Sequence, residues 1–343
     1  MSFARSAVRA ESSGPVTDSG RRRVLRTASA LLLSPLMARA QSTAVKRIGY
    51  LAPGTKQSSL DGYSEFLGGM RDLGYVEGRD FVMETRLAGG KMQDLPTLAA
   101  DLVRSNVAVI VAAGSYATQA AKQATAIIPI VMGAASDPVS SGLVASLARP
   151  GGNVTGLSLN AVDVSPKHVE LLKSVMPAVS RVALLINPTI PSHHEIQRNL
   201  QAAAQSFGIA IVPVQARNAE EIGRAFATMR TERAEALIVV IDSFFSVQRE
   251  QIIALAAQNR LPSVFPYRQL VEIGGLLSYG QDLSDAFRRA ASYVDRILKG
   301  AKPAELPVEQ PTKFEMAINL KTAAALGIVV PRELLLRADK VFK

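Results

Sequence analysis

The residues that could hold a small molecule stand just after short apolar runs. The clearest case is VAVIVAAGSYATQAAK, residues 107–122, where a wholly apolar run ends on Gly114-Ser115 and a helical pattern begins. A strand that delivers a helix N-terminus presents free backbone N–H groups and the positive end of the helix dipole, which favour a carboxylate. Ser115 and Thr118 can add hydroxyls, Tyr116 an aromatic ring, and Gly114 a close backbone approach. Ser115 reads equally as an ordinary helix cap. In MGAASDPVSSG, Ser136 and Asp137 follow another apolar run, and Asp137 also fits an N-cap or an Asx-turn before Pro138. Further on, LLINPTIP supplies Asn187 and IVVIDSFFS supplies Asp242 and Phe244. A carboxylate that ends a strongly apolar strand needs a partner. For Asp242 that partner is either a ligand ammonium or the N–H groups of a helix that it caps. Tyr50, Tyr116, Phe244, Tyr267 and Tyr279 all fall at strand ends, where a stacking pocket would draw them.

Other chemistry is poorly provided for. The chain contains no cysteine and three histidines, so thiolate nucleophiles, disulfides and Cys-bound metals are excluded. His193-His194-Glu195 lacks metal-ligand spacing and reads as the start of a surface helix. The glycines of LARPGGNVTGLSL do not make a dinucleotide fingerprint, and no G-x-S-x-G elbow is present. No metal or cofactor is expected, and an α/β enzyme is the weaker alternative to a binding protein.

These positions require a scaffold of alternating strands and helices, and the hydrophobic pattern supplies one. Runs at 46–52, 81–88, 107–114, 128–134 and 152–159 form a first set of five strands, with helices between them such as residues 60–73. A second set follows at 181–188, 209–216, 236–243, 261–266 and 275–280, again with intervening helices, and Ser284 stands as an N-cap of the last. One more strand and helix follow in the tail. The expected architecture is α/β: two doubly wound Rossmann-like lobes joined by a hinge. Residues 41–160 form the first lobe with 277–303 returning to it, and 161–276 form the second with 304–343 added. A ligand cleft then lies between the lobes, at the carboxyl ends of the strands.

The first forty residues read differently. GRRRVLRTASALLLSPLMARAQS, residues 20–42, has a basic lead, a short apolar run and an A-x-A ending. Its apolar stretch is about half the roughly 20 residues needed to cross a bilayer, so it fits a signal peptide cleaved after Ala40. Arg21-Arg22 also resembles a twin-arginine export signal. These forty residues hold seven arginines and two acids, half of the net charge of +10. The remaining +5 gives no warrant for a nucleic-acid partner.

RIGYL, LGYVEGRD, DPVSSGLVASLARPGGNVTGLSL, FRRAASYVDRILKGAKPAELPVEQPTKFEMAINLKTAAALG and LLLRADKV together resemble one family, from about Lys46 to the C-terminus. It is the ABC-transporter substrate-binding protein family that includes tryptophan and tyrosine binders. The resemblance implies a type I periplasmic binding-protein fold with a three-segment hinge and a closing cleft. It also implies a monomeric periplasmic receptor for a small molecule, with an aromatic amino acid first in line. Its partner would be an inner-membrane permease, or alternatively a sensor.

Overall fold

The structure, a computed structural model, describes residues 45–55, 62–310 and 312–343. The expected signal peptide and its cleavage site lie outside the described residues. The first lobe runs β1 (Lys46–Ala52), α1 (Tyr63–Asp72), β2 (Phe81–Leu87), α2 (Leu95–Arg104), β3 (Val109–Ala112), α3 (Gly114–Ala124), β4 (Ile130–Ala135) and β5 (Val154–Ser158). Its strands lie in the order β2-β1-β3-β4-β5, and every pairing is parallel. Parallel pairing needs helical crossovers that cover both faces, which is why β3 and β4 are buried along their whole length. The β4–β5 register shifts between Met132 and Ala135. Such irregularities re-aim side chains near functional sites, and this one lies where β4 leaves the sheet for the cleft.

The second lobe follows with α4 (Ala161–Val175), β6 (Arg181–Ile186), α5 (Pro191–Ser206), β7 (Ala210–Gln215), α6 (Ala219–Thr231) and β8 (Ala236–Val239). Next come α7 (Ser243–Val247), α8 (Arg249–Gln258), β9 (Ser263–Phe265), α9 (Arg268–Glu272) and β10 (Leu277–Gln281). The helix α10 (Leu283–Leu298) then packs against α1 and β4 of the first lobe. The chain ends with β11 (Phe314–Asn319), α11 (Leu320–Leu326), α12 (Arg332–Arg337) and β12 (Lys340–Phe342). Among the described residues the second sheet has the order β12-β11-β10-β9-β8-β6-β7, with β11 antiparallel to β10. Two doubly wound α/β lobes are therefore present.

The crossings between lobes differ in detail from the expected boundaries. Residues 277–281 do not return to the first lobe, because β10 is held by β9 on one side and β11 on the other. The crossing falls at Asp282, whose carboxylate accepts from the N–H groups of Ser284 and Asp285 and so starts α10. Asp282, not Ser284, is the cap. Residues 304–309 also stay with the first lobe: the Thr155 hydroxyl donates to the Leu306 carbonyl at 2.7 Å, and Leu157 bridges to Glu309. Arg289 and Arg296 of α10 both pair with Glu309 there. With the passage from β5 to α4, the chain thus crosses three times. The short α12 and β12 were not foreseen, since six- and three-residue elements show no periodicity.

Candidate functional site

The carboxyl ends of the strands of both lobes meet around a cavity with an empty volume of about 560 Å³, part of it open to solvent. From the first lobe, β3 hands over to α3 at Gly114, whose φ of +83° is left-handed. Ser115 follows, and its Oγ accepts from the Ser136 N–H at 3.2 Å and lies 3.3 Å from the Ser136 Oγ. The irregular end of β4 thereby brings Ser136 beside the opening turn of α3. The Ser136 Oγ is in turn 3.5 Å from the Ser192 Oγ, in the first turn of α5 on the other lobe. Hydroxyls and free N–H groups make this wall a hydrogen-bonding surface for an anion.

The second lobe contributes Asp242, which is 5% exposed. Its Oδ1 accepts from the Phe244 N–H at 2.7 Å and starts α7. Its Oδ2 is buried and, among the described residues, accepts no hydrogen bond of normal geometry. The helix-cap alternative for this residue therefore holds for one oxygen, and the other takes no part in the cap. Burial pushes its carboxyl up to about 7, partly countered by the Phe244 N–H, the Asn187 side chain and the Phe245 N–H. Desolvation disfavours the charged form, and only a cation or further donors would restore it. Among the described residues, the cavity lining includes this carboxylate and no Lys or Arg.

His193 lies beside it and is wholly buried. The reading of His193-His194-Glu195 as a surface helix start fails at this residue. Its Nδ1 accepts from the Asn187 N–H at 2.9 Å, so the proton sits on Nε2, which donates to the Ile241 carbonyl at 3.0 Å. Burial lowers its pKa to about 4, so the ring is neutral at ordinary pH. It ties the loop after β6 to the loop after β8 and thereby holds the backbone on which Asp242 stands.

The two lobes touch across the cavity. Asn187 donates through Nδ2 to the Tyr116 hydroxyl at 2.7 Å, while its Oδ1 accepts from the Thr189 N–H and hydroxyl. A Cβ at Gly114 would stand 2.2 Å from the Ser243 Oγ of the opposite lobe. The cleft is closed.

Of the candidate residues, Gly114, Ser115, Tyr116, Ser136, Asp242 and Tyr267 line the cavity. Burial raises the hydroxyl pKa of Tyr116 and Tyr267, and the Asp242 charge raises both further. The others are placed elsewhere. The Thr118 hydroxyl donates back to the Gly114 carbonyl at 2.8 Å, one turn earlier in α3. Asp137 accepts from the Val139 and Ser140 N–H groups, the Asx-turn alternative. Asn187 acts behind Tyr116, and Phe244 packs on Phe245 in the core. Tyr50 is fully buried against Tyr63 and Phe66, and Tyr279 stacks on Phe314 at 5.9 Å. Residues that sequence reasoning did not single out for the cavity include Pro53, His193, Ser243, Ser246, Leu283 and Phe287. Pro53 and Ser243 follow strand ends and could have been found by that rule; Phe287, on α10, could not.

Comparison with known proteins gives four findings. The family model described as ABC transporter substrate binding protein matches residues 52–342. The tyrosine-binding protein of Clostridioides difficile (strain R20291) is 28% identical over 265 residues, covering 77% of this chain and 75% of that protein. Among solved structures, the ABC domain of Streptococcus pneumonia in complex with L-Trp aligns with a TM-score of 0.81 and 27% identity, over 87% of this chain and 100% of that one. A conserved domain protein of Vibrio cholerae O1 biovar El Tor aligns with a TM-score of 0.81 and 29% identity, over 87% and 99% of the two chains.

Proposed function

This chain belongs to the family of ABC transporter substrate binding proteins, and from that premise we propose that it captures an α-amino acid between its lobes and delivers it to an importer permease. The observation that carries this reading is the buried Oδ2 of Asp242, which takes no part in the helix cap, in the same cavity as the opening turn of α3. A zwitterion answers both. Its ammonium pairs with Asp242, and its carboxylate takes the N–H groups and hydroxyls around Ser115 and Ser136. Neither charge would need Lys or Arg, and none lines the cavity among the described residues. Tyr116, Tyr267 and Phe287 supply aromatic walls for the side chain. A relative named for tyrosine binding and another solved with L-Trp support an aromatic side chain.

A melting-temperature screen of the protein against the L-amino acids, with the matching amines and carboxylic acids as controls, tests the reading. A ligand at about 100 times its Kd adds about 2.7 kcal/mol. That corresponds to an upward shift of about 4 °C for a chain of this size. Amines and acids lacking one of the two charges should give little or no shift. If no amino acid moves the transition, the zwitterion reading is wrong.

The receptor role carries with it a site of action outside the cytoplasm, and the basic-apolar stretch of residues 20–42 supports export. Mass spectrometry of the N-terminus of the protein recovered from the periplasmic fraction should then find Gln41 first. An unprocessed chain retained in the cytoplasm would contradict it.

A further inference from the structure

Phe287 closes the cavity on the side of α10. It is 2% exposed and belongs to the helix that returns from the second lobe to pack on the first. Two glycines leave it room. A Cβ at Gly62 would stand 1.9 Å from the ring atoms Cγ and Cδ2, and one at Gly133 would stand 2.2 Å from Cε1. Heavy atoms do not approach that closely, so the ring occupies space that any side chain at either position would take.

The two glycines have different reasons to be there. Gly62 precedes α1 with φ +62°, a conformation that itself favours glycine. Gly133 has no positive φ. It lies in the irregular stretch of β4 between Met132 and Ala135, and its Cβ would meet three atoms of the Phe287 ring, at 2.2, 2.6 and 3.1 Å. The ring is therefore walled by backbone at Gly62 and Gly133, with the cavity beside it. Buried Ala286, Ala290 and Ala291 show that the rest of this face of α10 is packed tightly against the first lobe. A ring so seated cannot swing aside for a larger ligand without colliding with main chain.

We propose that Phe287, seated in the space left by Gly62 and Gly133, is a specificity-determining residue that sets the largest ligand side chain the cleft accepts. The proposal rests on the α-amino acid reading given above. With the ammonium held by Asp242 and the carboxylate at α3, the ligand side chain is directed to the remaining wall, where Leu283 and Phe287 lie. A side chain that grows in that direction meets a fixed aromatic surface, and overpacking of this kind is strongly discriminating.

Isothermal titration with L-alanine, L-valine, L-leucine, L-phenylalanine and L-tryptophan tests the idea in four proteins: wild type, Phe287→Leu, Phe287→Ala and Gly133→Ala. Pocket changes of about one methylene shift preference by about 10–200-fold. Truncating Phe287 should move the preference toward the larger ligands by at least about tenfold in the ratio of Kd values. Gly133→Ala should move it toward the smaller ones, because the ring is then forced into the cavity. Thermal melts show which variants fold; if Phe287→Ala does not, Phe287→Leu and Gly133→Ala carry the test. A purely structural role would weaken all ligands alike and leave their ranking unchanged, which overturns the proposal. A wild-type protein that binds none of the five overturns the amino-acid reading itself, and this proposal falls with it.

Discussion

Replacing Asp242 with Asn is expected to weaken binding of the amino-acid ligand by about 30-fold or more while leaving the fold intact. Truncating one partner of a buried, hydrogen-bonded charge pair costs about 2–5 kcal/mol, and about 1.4 kcal/mol is a decade in Kd. The substitution separates the two oxygens of this side chain. Asn keeps an Oδ1 that can accept from the Phe244 N–H and is as good an N-cap as Asp. It loses the anionic Oδ2, which accepts no hydrogen bond of normal geometry among the described residues. The ligand-free variant should therefore melt no lower than wild type at pH 8. The sign follows from the raised pKa: about 7 in the folded protein against about 3.9 unfolded. The neutral form's contribution to stability is complete below about pH 4, declines as pH rises through about 7, and is then lost. Asn does not titrate and escapes that loss.

The ligand responds to pH in the opposite sense. A cation needs the ionised carboxylate, so below about pH 7 binding must expel a proton from Asp242. Wild-type affinity should drop about tenfold from pH 8 to pH 6, and the Asn variant should show no such slope. His193, with a pKa of about 4, and the raised tyrosines Tyr116 and Tyr267 do not titrate in that window. Titration calorimetry at the two pH values reads both effects. Equal binding by the two proteins would leave Asp242 as a helix cap only.

Gly114→Ala should weaken binding by about fivefold by a different route, the loss of closure. The added Cβ would stand 2.2 Å from the Ser243 Oγ of the opposite lobe. Overpacking of this kind costs about 1–3 kcal/mol; the Ser243 Oγ ends a short side chain that can turn away, which leaves about 1 kcal/mol, or roughly fivefold. The φ of +83° adds strain to any other residue, of about 1–2 kcal/mol. That strain acts in the open and closed forms alike, so it should lower the melting temperature of the free protein without changing ligand affinity. Solution scattering separates the two effects. Wild type should contract when ligand is added, since a ligand held by both lobes favours the closed form, whereas Gly114→Ala should stay extended. Adding Ser243→Gly removes the collision and should restore most of the lost affinity. A double variant no better than Gly114→Ala would show that the contact with Ser243 is not what limits closure.

The alternation of strands and helices was legible in the sequence because it depends on local hydrophobic periodicity. The apolar run at 107–114 announced a strand buried on both faces, and β3 is fully buried. The rule that pocket groups follow strand ends picked out Gly114, Ser115, Tyr116, Ser136, Asp242 and Tyr267, all of which line the cavity. It failed where the nearest partner is long-range or one turn away. Thr118 is only three residues from Ser115, yet its hydroxyl satisfies the Gly114 carbonyl because α3 begins at Gly114. Tyr50 ends a strand, but the side chain enters the core beside Tyr63 and Phe66. His193 reads as exposed beside another histidine, yet two main-chain groups, at Asn187 and Ile241, accept it into the interior. Phe287 sits in a long amphipathic helix whose pattern says only that one face is buried. Which face meets the cleft is decided by the crossing at Asp282, where β10 leaves one sheet and α10 packs on the other. A side chain's periodicity records whether it is buried; what it is buried against depends on chain segments far away, and only the folded structure brings those together.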